Sequence, residues 1–151
     1  MNLEDISQYD LARWQEIASQ ARQRIETRLF IDGAWTDAAD GGRFETIDPS
    51  SGETLAALAA GTGKDIDRAV AAARKAFRSG CWSGMAPRDR MAVLYRFADR
   101  VEQHAEELAV LETMDMGKPI SDVIEVDLPL VSETIRFMAE CIDKVDGAVT
   151  N

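Results

Sequence analysis

The fold is decided by the stretch LETMDMGKP, which runs from Leu111 to Pro119. Apolar residues at Leu108 and Leu111 predict a helix that continues to Met116. Gly117 can adopt the left-handed conformation that closes a helix, and Pro119 prevents the helix from continuing because it has no backbone N–H. We therefore expect a helix over residues 105–116 with a sharp end at Gly117.

Two more helices are predicted earlier in the chain, on either side of a segment rich in strand-forming residues. Residues 10–26 form an amphipathic pattern, and a second pattern begins at Asp65, a candidate N-cap, and stops at Ser79 and Gly80. Both have an apolar stripe that should face inward. The stripe residues are Leu11, Trp14, Ile17, Ala18, Ala21 and Ile25 in the first, and Ile66, Ala69, Val70, Ala73 and Phe77 in the second.

Two helices flank the LETMDMGKP stretch. One begins at Pro87, which suits the first helical turn, and it turns Met91, Leu94, Ala98 and Val101 inward. The other is predicted over residues 122–145, with an end at Gly147 and with a kink or junction at Pro129.

The segment between the first two helices reads as short strands joined by tight turns. Asp32-Gly33 between two apolar triplets predicts a two-residue hairpin, and residues 44–47 and 55–59 flank a turn at Asp48-Pro49. No alternation of strand and helix predicts a parallel sheet. The expected fold class is α+β, with a helical extension over 1–27, a hairpin and meander over 28–60, and a helical layer over 61–151.

Composition excludes several classes of partner. The formal net charge is −10, from 27 acidic and 17 basic residues, so nucleic acid and anionic membranes would be repelled. No apolar run approaches the ~20 residues that a membrane helix needs, and the acidic N-terminus has no signal-peptide pattern. Two widely spaced cysteines and one histidine argue for free thiols and against a histidine-based metal site. We therefore expect a cytoplasmic protein.

The blocks described above resemble, in their order and spacing, the opening third of an aldehyde dehydrogenase. The resemblance covers residues 25–147, and it is nearest to the bacterial branch that acts on gamma-glutamyl-aminobutyraldehyde and related amino-aldehydes. The matching tokens are RLFIDG (28–33), FETIDP (44–49), DIDRA (65–69), HAEELA (104–109) and AECIDKV (139–145). The resemblance implies an oxidoreductase that uses NAD or NADP to convert an aldehyde to a carboxylic acid.

The resemblance also implies that the reactive parts lie elsewhere. In the family, the nucleophilic cysteine, the glutamate base and the dinucleotide-binding fold all come later in the polypeptide. We therefore assign no catalytic and no cofactor-binding residue here, and expect the isolated chain neither to bind NAD nor to oxidise aldehydes. Cys81 lies in a small-residue turn, Cys141 on an apolar helix face, and Gly61-Thr62-Gly63-Lys64 lacks a complete phosphate-binding motif.

Two candidate sites are carried over from the family. Asp115 lies at a helix C-terminus, where a carboxylate is unfavourable without a compensating cation. The family uses this aspartate with backbone carbonyls before the Asp-Pro turn to bind a structural Na or K ion, which implicates Thr46, Ile47 and Asp115. The family's substrate entrance begins at the last long helix, which implicates Asp127 and Leu130.

Two functions remain open from the sequence. The first is the N-terminal fragment of an aldehyde dehydrogenase, whose partner is an aldehyde substrate in the complete enzyme. The second is a non-catalytic helical module for interaction or self-association. Because Phe137, Met138 and Ile142 should face a part of the family fold that is missing here, we expect apolar faces to be uncovered and the chain to form a homo-oligomer.

Overall fold

Helix α1 spans Leu11–Arg22 in a computed structural model that describes residues 6–144. It begins after Asp10, whose carboxylate accepts a hydrogen bond from the N–H of Arg13 at 2.8 Å. This cap satisfies one of the free N–H groups of the first turn. The predicted inward stripe is buried at Trp14, Ile17 and Ala21, but the predicted extent of 10–26 is too long by several residues.

Four short strands follow and pair into two antiparallel ribbons. They are β1 (Leu29–Ile31), β2 (Ala34–Thr36), β3 (Arg43–Ile47) and β4 (Thr54–Ala59). Strand β1 pairs with β2, and β3 pairs with β4. The β1–β2 hairpin turns at Asp32 and Gly33, with φ of 53° and 78°, which are the positive values that a two-residue hairpin turn requires. The hairpin predicted from Asp-Gly is therefore confirmed.

The remainder of the described chain is helical. Its elements are α2 (Gly63–Ser79), α3 (Pro87–Gln103), α4 (Ala105–Met116), α5 (Ile120–Asp122), a π-helical segment (Val123–Asp127), α6 (Leu128–Glu140) and a 3₁₀ turn (Cys141–Asp143). Gly80 and Gly117 close α2 and α4 in the left-handed conformation, each with φ of 70°. The α+β fold class is confirmed, while Gly147, the predicted end of the last helix, lies outside the described residues.

The start of α2 differs from the prediction. Asp65 is not the N-cap, because the helix begins at Gly63 and Thr62 is the cap residue. Asp65 instead occupies the third helical position, and its carboxylate accepts from the backbone N–H of Thr62 at 2.9 Å. Thr62 and Asp65 together form a capping box, a pattern in which the two residues satisfy each other's backbone donors.

The last long helix also differs from the prediction. Helix begins at Ile120 rather than Asp122 and runs without a break into α6, past Pro129. The five residues Val123–Asp127 adopt π-helical geometry, and the N–H of Leu128 bonds to the carbonyl of Val123, so the change from π-helix to α-helix forms a junction directly before Pro129. The wider turn gives the proline ring room against the preceding carbonyl groups, which is how a helix can continue through a residue without an N–H.

Several residues that were expected to face inward are exposed. Leu11 is 73% exposed, and the stripe of α2 is open at Ile66 (60%), Val70 (48%) and Phe77 (81%). The expectation that the stripe of α2 faces inward is therefore wrong within the described residues, where the buried residue of α2 is Asp65. Periodicity could not show whether other residues of this chain cover the apolar side of the helix.

The buried core lies where α1 crosses α4 and meets the π-helical segment. Trp14 and Ile17 from α1 pack with Val110 of α4 and with Val123 and Ile124 of the π-helical segment. The core therefore fixes α4 against α1 and leaves the opposite face of α4 free to form grooves.

Among residues 6–144, no helix is long and apolar enough to cross a membrane.

The end of α4 is pressed against the turn between β3 and β4. A Cβ atom added to Gly117 would lie 2.8 Å from Cγ of Pro49, closer than carbon atoms approach without displacement. The same glycine has positive φ, so an alanine at this position would be strained as well as crowded. The Asp-Pro turn and the Gly-Lys-Pro segment thus form one structural unit.

We predict that Gly117→Ala destabilises the chain more than Gly52→Ala. Both glycines have positive φ, so both substitutions carry a strain of ~1–2 kcal/mol. Only Gly117 also meets Pro49, whereas Gly52 has open space, and overpacking adds ~1–3 kcal/mol. Urea denaturation of both variants measures the difference, and equal losses would show that the Pro49 contact is unimportant.

Candidate functional site

The predicted cation ligands Thr46 and Asp115 lie together, although 69 positions separate them in the sequence. The hydroxyl of Thr46 donates a hydrogen bond to Oδ1 of Asp115 at 2.9 Å. Ile47 follows at the end of β3, where the pairing with β4 is irregular between Thr46 and Ile47. The structure therefore brings the three predicted residues to one place, where β3 meets the C-terminal end of α4.

The chemistry of this place suits a monovalent cation. A threonine hydroxyl, an aspartate carboxylate and strand carbonyl groups are hard oxygen donors, and the negative end of the α4 dipole adds to their attraction for a cation. Oδ2 of Asp115 has no hydrogen-bond partner within residues 6–144. A cluster of three or more histidine, cysteine or acidic side chains, as a multivalent metal would need, does not occur in that range.

A groove of about 410 Å³ opens beside this pair of residues. Its walls are largely apolar and come from the segment after α1, from β4 and from α4. The apolar lining residues are Ile25, Leu55, Leu58, Leu108 and Leu111. Arg24, Glu26 and Glu112 also line this groove.

A second groove of about 420 Å³ contains both predicted entrance residues, Asp127 and Leu130. Leu130 is 59% exposed, so its side chain is available to a ligand. Asp127 accepts a hydrogen bond from the ammonium group of Lys118, which also lines this groove. The hydrogen bond and charge of Asp127 raise the pKa of Lys118. Sequence reasoning did not identify Lys118, because only the fold shows that it faces Asp127 across the π-helical segment.

Within the described residues neither thiol is hydrogen-bonded to a histidine or another base, although the ammonium group of Lys144 interacts electrostatically with Cys141. Cys81 is exposed, and its thiol lies 3.6 Å from the carbonyl oxygen of Ala76 at the end of α2. Cys141 is half-buried near the end of the described chain. A nucleophilic thiol needs a histidine, another base or a positive environment to form its thiolate.

The Gly61–Lys64 loop does not fit a dinucleotide. The carboxylate of Asp65 fills the N-terminal end of α2, where it accepts from the N–H of Thr62 and of Ala39. A phosphate group would need those N–H donors and would be repelled by the carboxylate. The sheets of the described region are antiparallel pairs, without the parallel strands of a dinucleotide-binding fold.

Asp65 has a structural role that differs from the N-cap predicted from the sequence. It is 1% exposed, and its Oδ2 accepts three hydrogen bonds, from the N–H of Ala39 and from the N–H and hydroxyl of Thr62. These bonds, with the nearby guanidinium of Arg68, lower the pKa of Asp65 to about 2. The carboxylate ties the loop after β2 to the start of α2.

A second ion-pair cluster holds α6 against α3. The guanidinium of Arg136 on α6 donates to Glu102 and to Asp99 on α3. The bonds to Glu102 and Asp99 raise the pKa of Arg136, and the bond from Arg136 lowers the pKa of Glu102. This cluster fixes the helix that carries Leu130 and therefore the wall of the second groove.

A model of the aldehyde dehydrogenase family matches residues 35–151, which is most of the chain. The chain belongs to the aldehyde dehydrogenase family. It is 50% identical over 141 residues to the NADP/NAD-dependent aldehyde dehydrogenase PuuC of Escherichia coli, a match that covers 93% of the chain. It is 43% identical over 135 residues to the aminoacetaldehyde dehydrogenase of Pseudomonas aeruginosa, with 89% of the chain covered.

The fold is also similar to that of a solved structure from the family. The gamma-glutamyl-gamma-aminobutyraldehyde dehydrogenase of Burkholderia cenocepacia superposes with a TM-score of 0.89 at 46% identity, over 94% of the chain. The chain spans 28% of that structure, 28% of PuuC and 27% of the Pseudomonas enzyme. The family assigned from the sequence motifs is confirmed, and the match is to the N-terminal part of its members.

We predict that Asp65→Asn destabilises the chain at neutral pH and that the loss shrinks in acid. The folded pKa of about 2 lies below the unfolded value of ~3.9, so the carboxylate stabilises the fold above pH ~4 and loses this effect as pH falls toward 2. Denaturant titrations at several pH values test this. Asp67→Asn is the matched control because Asp67 is exposed, and a constant difference between the two variants across pH would contradict the prediction.

Proposed function

We propose that this chain forms the N-terminal part of an NAD(P)-dependent dehydrogenase that oxidises an aldehyde, and specifically an amino-aldehyde, to a carboxylic acid. The observation that supports it is the match in sequence and fold along nearly the whole chain to enzymes of this kind. NAD or NADP, held elsewhere in the enzyme, would accept the hydride. The role of the described residues is to shape and support the substrate path.

The amino-aldehyde preference is supported by the second groove and by the relatives. Asp127 places a carboxylate on the groove, and Leu130 offers an apolar surface beside it. A substrate with an ammonium group and a methylene chain has the complementary chemistry. Lys118 pairs with Asp127 and so moderates its charge. Two of the relatives carry names that specify aminated aldehydes.

We propose further that Thr46, Ile47 and Asp115 bind a structural Na or K ion. The ion would neutralise the carboxylate at the end of α4 and hold the β3–β4 turn in place.

We also propose that the protein forms a homo-oligomer and that it lies in the cytoplasm. Exposed apolar side chains such as Phe137 and Met138 support the first, and the exposed free thiol of Cys81 suits the reducing cytoplasm.

We predict that a chimera will oxidise aldehydes where the isolated chain does not. In this chimera the present chain replaces the matching N-terminal segment of PuuC, and the remainder of PuuC supplies the reactive centre. NADH or NADPH formation with an amino-aldehyde, followed by absorbance, should be measurable for the chimera and absent for the purified 151-residue chain.

The outcomes separate the two functions considered from the sequence. A folded chimera without dehydrogenase activity would contradict the proposal and favour a non-catalytic module. Cofactor reduction by the isolated chain would contradict the assignment of the chain as a scaffold. PuuC itself is the positive control in both assays.

We predict that Na or K ions stabilise the chain and that Asp115→Asn removes the effect. Raising NaCl or KCl from about 0.01 M to about 0.15 M, with choline chloride keeping ionic strength constant, should raise Tm by a few degrees. The variant lacks the charged ligand, so its Tm should not respond. Asp67→Asn should respond like the unmodified chain, and an equal response of all three proteins would exclude this site.

A further inference from the structure

Lys118 lies between two carboxylates on the wall of the second groove. Its ammonium group contacts Oδ2 of Asp127 at 2.5 Å, and Glu112 lines the same groove from α4. The hydrogen bond to Asp127 has the largest effect in raising the pKa of Lys118, and the charges of Glu112 and Asp122 add to it. Lys118 therefore stays charged at neutral pH and has a second carboxylate of the groove within electrostatic reach.

The contact between Lys118 and Asp127 is open to solvent. The side chain of Lys118 is 36% exposed and that of Asp127 is 32% exposed, and ion pairs of this kind contribute little to stability because water and salt compete with them. Glu112 is exposed as well. The lysine ammonium group lies at the end of a flexible four-carbon stem, so it can change its partner without a movement of the backbone.

An amino-aldehyde that enters this groove competes with Lys118 for Asp127. If Lys118 kept its place, two ammonium groups would share one carboxylate, and like charges held close together repel each other. Glu112 offers Lys118 another carboxylate on the same wall. The groove can therefore accept a second cation without leaving the first one unpaired.

We propose that Lys118 exchanges its counter-ion, from Asp127 to Glu112, when an amino-aldehyde binds. Lys118 is then a specificity-determining residue that acts through Asp127, and Glu112 is the acceptor that makes the exchange possible. This inference rests on the proposed function, because it uses Asp127 as the contact for the ammonium group of the substrate. A neutral aldehyde has no cation and leaves the pair of Lys118 and Asp127 in place.

A double-mutant cycle in the isolated chain tests whether Lys118 can use both carboxylates. Asp127→Asn and Glu112→Gln should each lower Tm only slightly, because Lys118 keeps one of the two acceptors in either variant. The double variant should lower Tm by more than the sum of the two single losses, because Lys118 then loses both. In a Lys118→Met background this excess should largely disappear, since only the weak repulsion between the two carboxylates remains.

Additive losses in the presence of Lys118, or an equal excess in both backgrounds, would overturn the exchange. If Lys118→Met does not fold, Lys118→Gln takes its place in the cycle, because it removes the charge and keeps a hydrogen-bond donor for Asp127.

The PuuC chimera tests the consequence for the substrate. 3-Aminopropanal and propanal differ by one ammonium group, so the ratio of their KM values measures how strongly that group is recognised. Glu112→Gln should raise the ratio of the KM for 3-aminopropanal to that for propanal by up to about fivefold, the fold-change that a partly exposed ion pair supplies. Lys118→Met should lower this ratio, because no cation of the protein then competes for Asp127.

The combination of both substitutions distinguishes an exchange of partners from a general effect of charge in the groove. In an exchange, Glu112 acts only through Lys118, so Glu112→Gln should leave the KM ratio unchanged in a Lys118→Met chimera. A ratio that rises equally in both backgrounds would show that Glu112 attracts the substrate directly, and would overturn the proposal. Glu133→Gln is the matched control, at an exposed glutamate of α6 that does not line the groove, and should not change the ratio.

The two experiments separate this inference from the proposed function. A chimera that oxidises neither aldehyde would contradict the proposed function, while the cycle in the isolated chain would still decide whether Lys118 exchanges its partner. An active chimera whose KM ratio does not respond to Glu112→Gln would overturn the exchange and leave the dehydrogenase function intact.

Discussion

The packing of Gly117 against Pro49 is the constraint on which the arrangement of the site depends. It joins two turns that are far apart in sequence, one at the end of β3 and the other at the end of α4. The hydrogen bond from Thr46 to Asp115 lies beside this contact and could not form if the turns moved apart. A side chain at position 117 would force Pro49 or the end of α4 to shift, because its Cβ would lie 2.8 Å from Cγ of Pro49.

The parts of the fold that were predictable from the sequence are those set by local chemistry. Asp32-Gly33 predicts its hairpin because few other residue pairs accept positive φ at both positions. Gly117 predicts the end of α4 for a similar reason. The resemblance to the family predicted that Thr46 lies near Asp115, and no local sequence pattern indicates this contact.

Interactions between distant residues could not be predicted. Asp65 looks like an ordinary N-cap in the sequence, yet the loop at Ala39 folds over it and turns it into a buried acceptor. The contact between Lys118 and Asp127 depends on the π-helical segment, which a helical pattern does not reveal. Periodicity likewise identifies the apolar side of α2 without showing what covers it.

The π-helical segment has a consequence for how the second groove can change between related proteins. Because one residue turns an α-helix by ~100°, the extra residue in this wide turn sets the direction in which every later side chain of α6 points. Losing a single residue from Val123–Asp127 would rotate Leu130 away from the groove while leaving its identity unchanged. The lining of the second groove therefore depends on the number of residues in the π-helical segment as well as on their chemistry. A sequence alignment of related proteins that is shifted by one residue here would assign the wrong side chain to the groove.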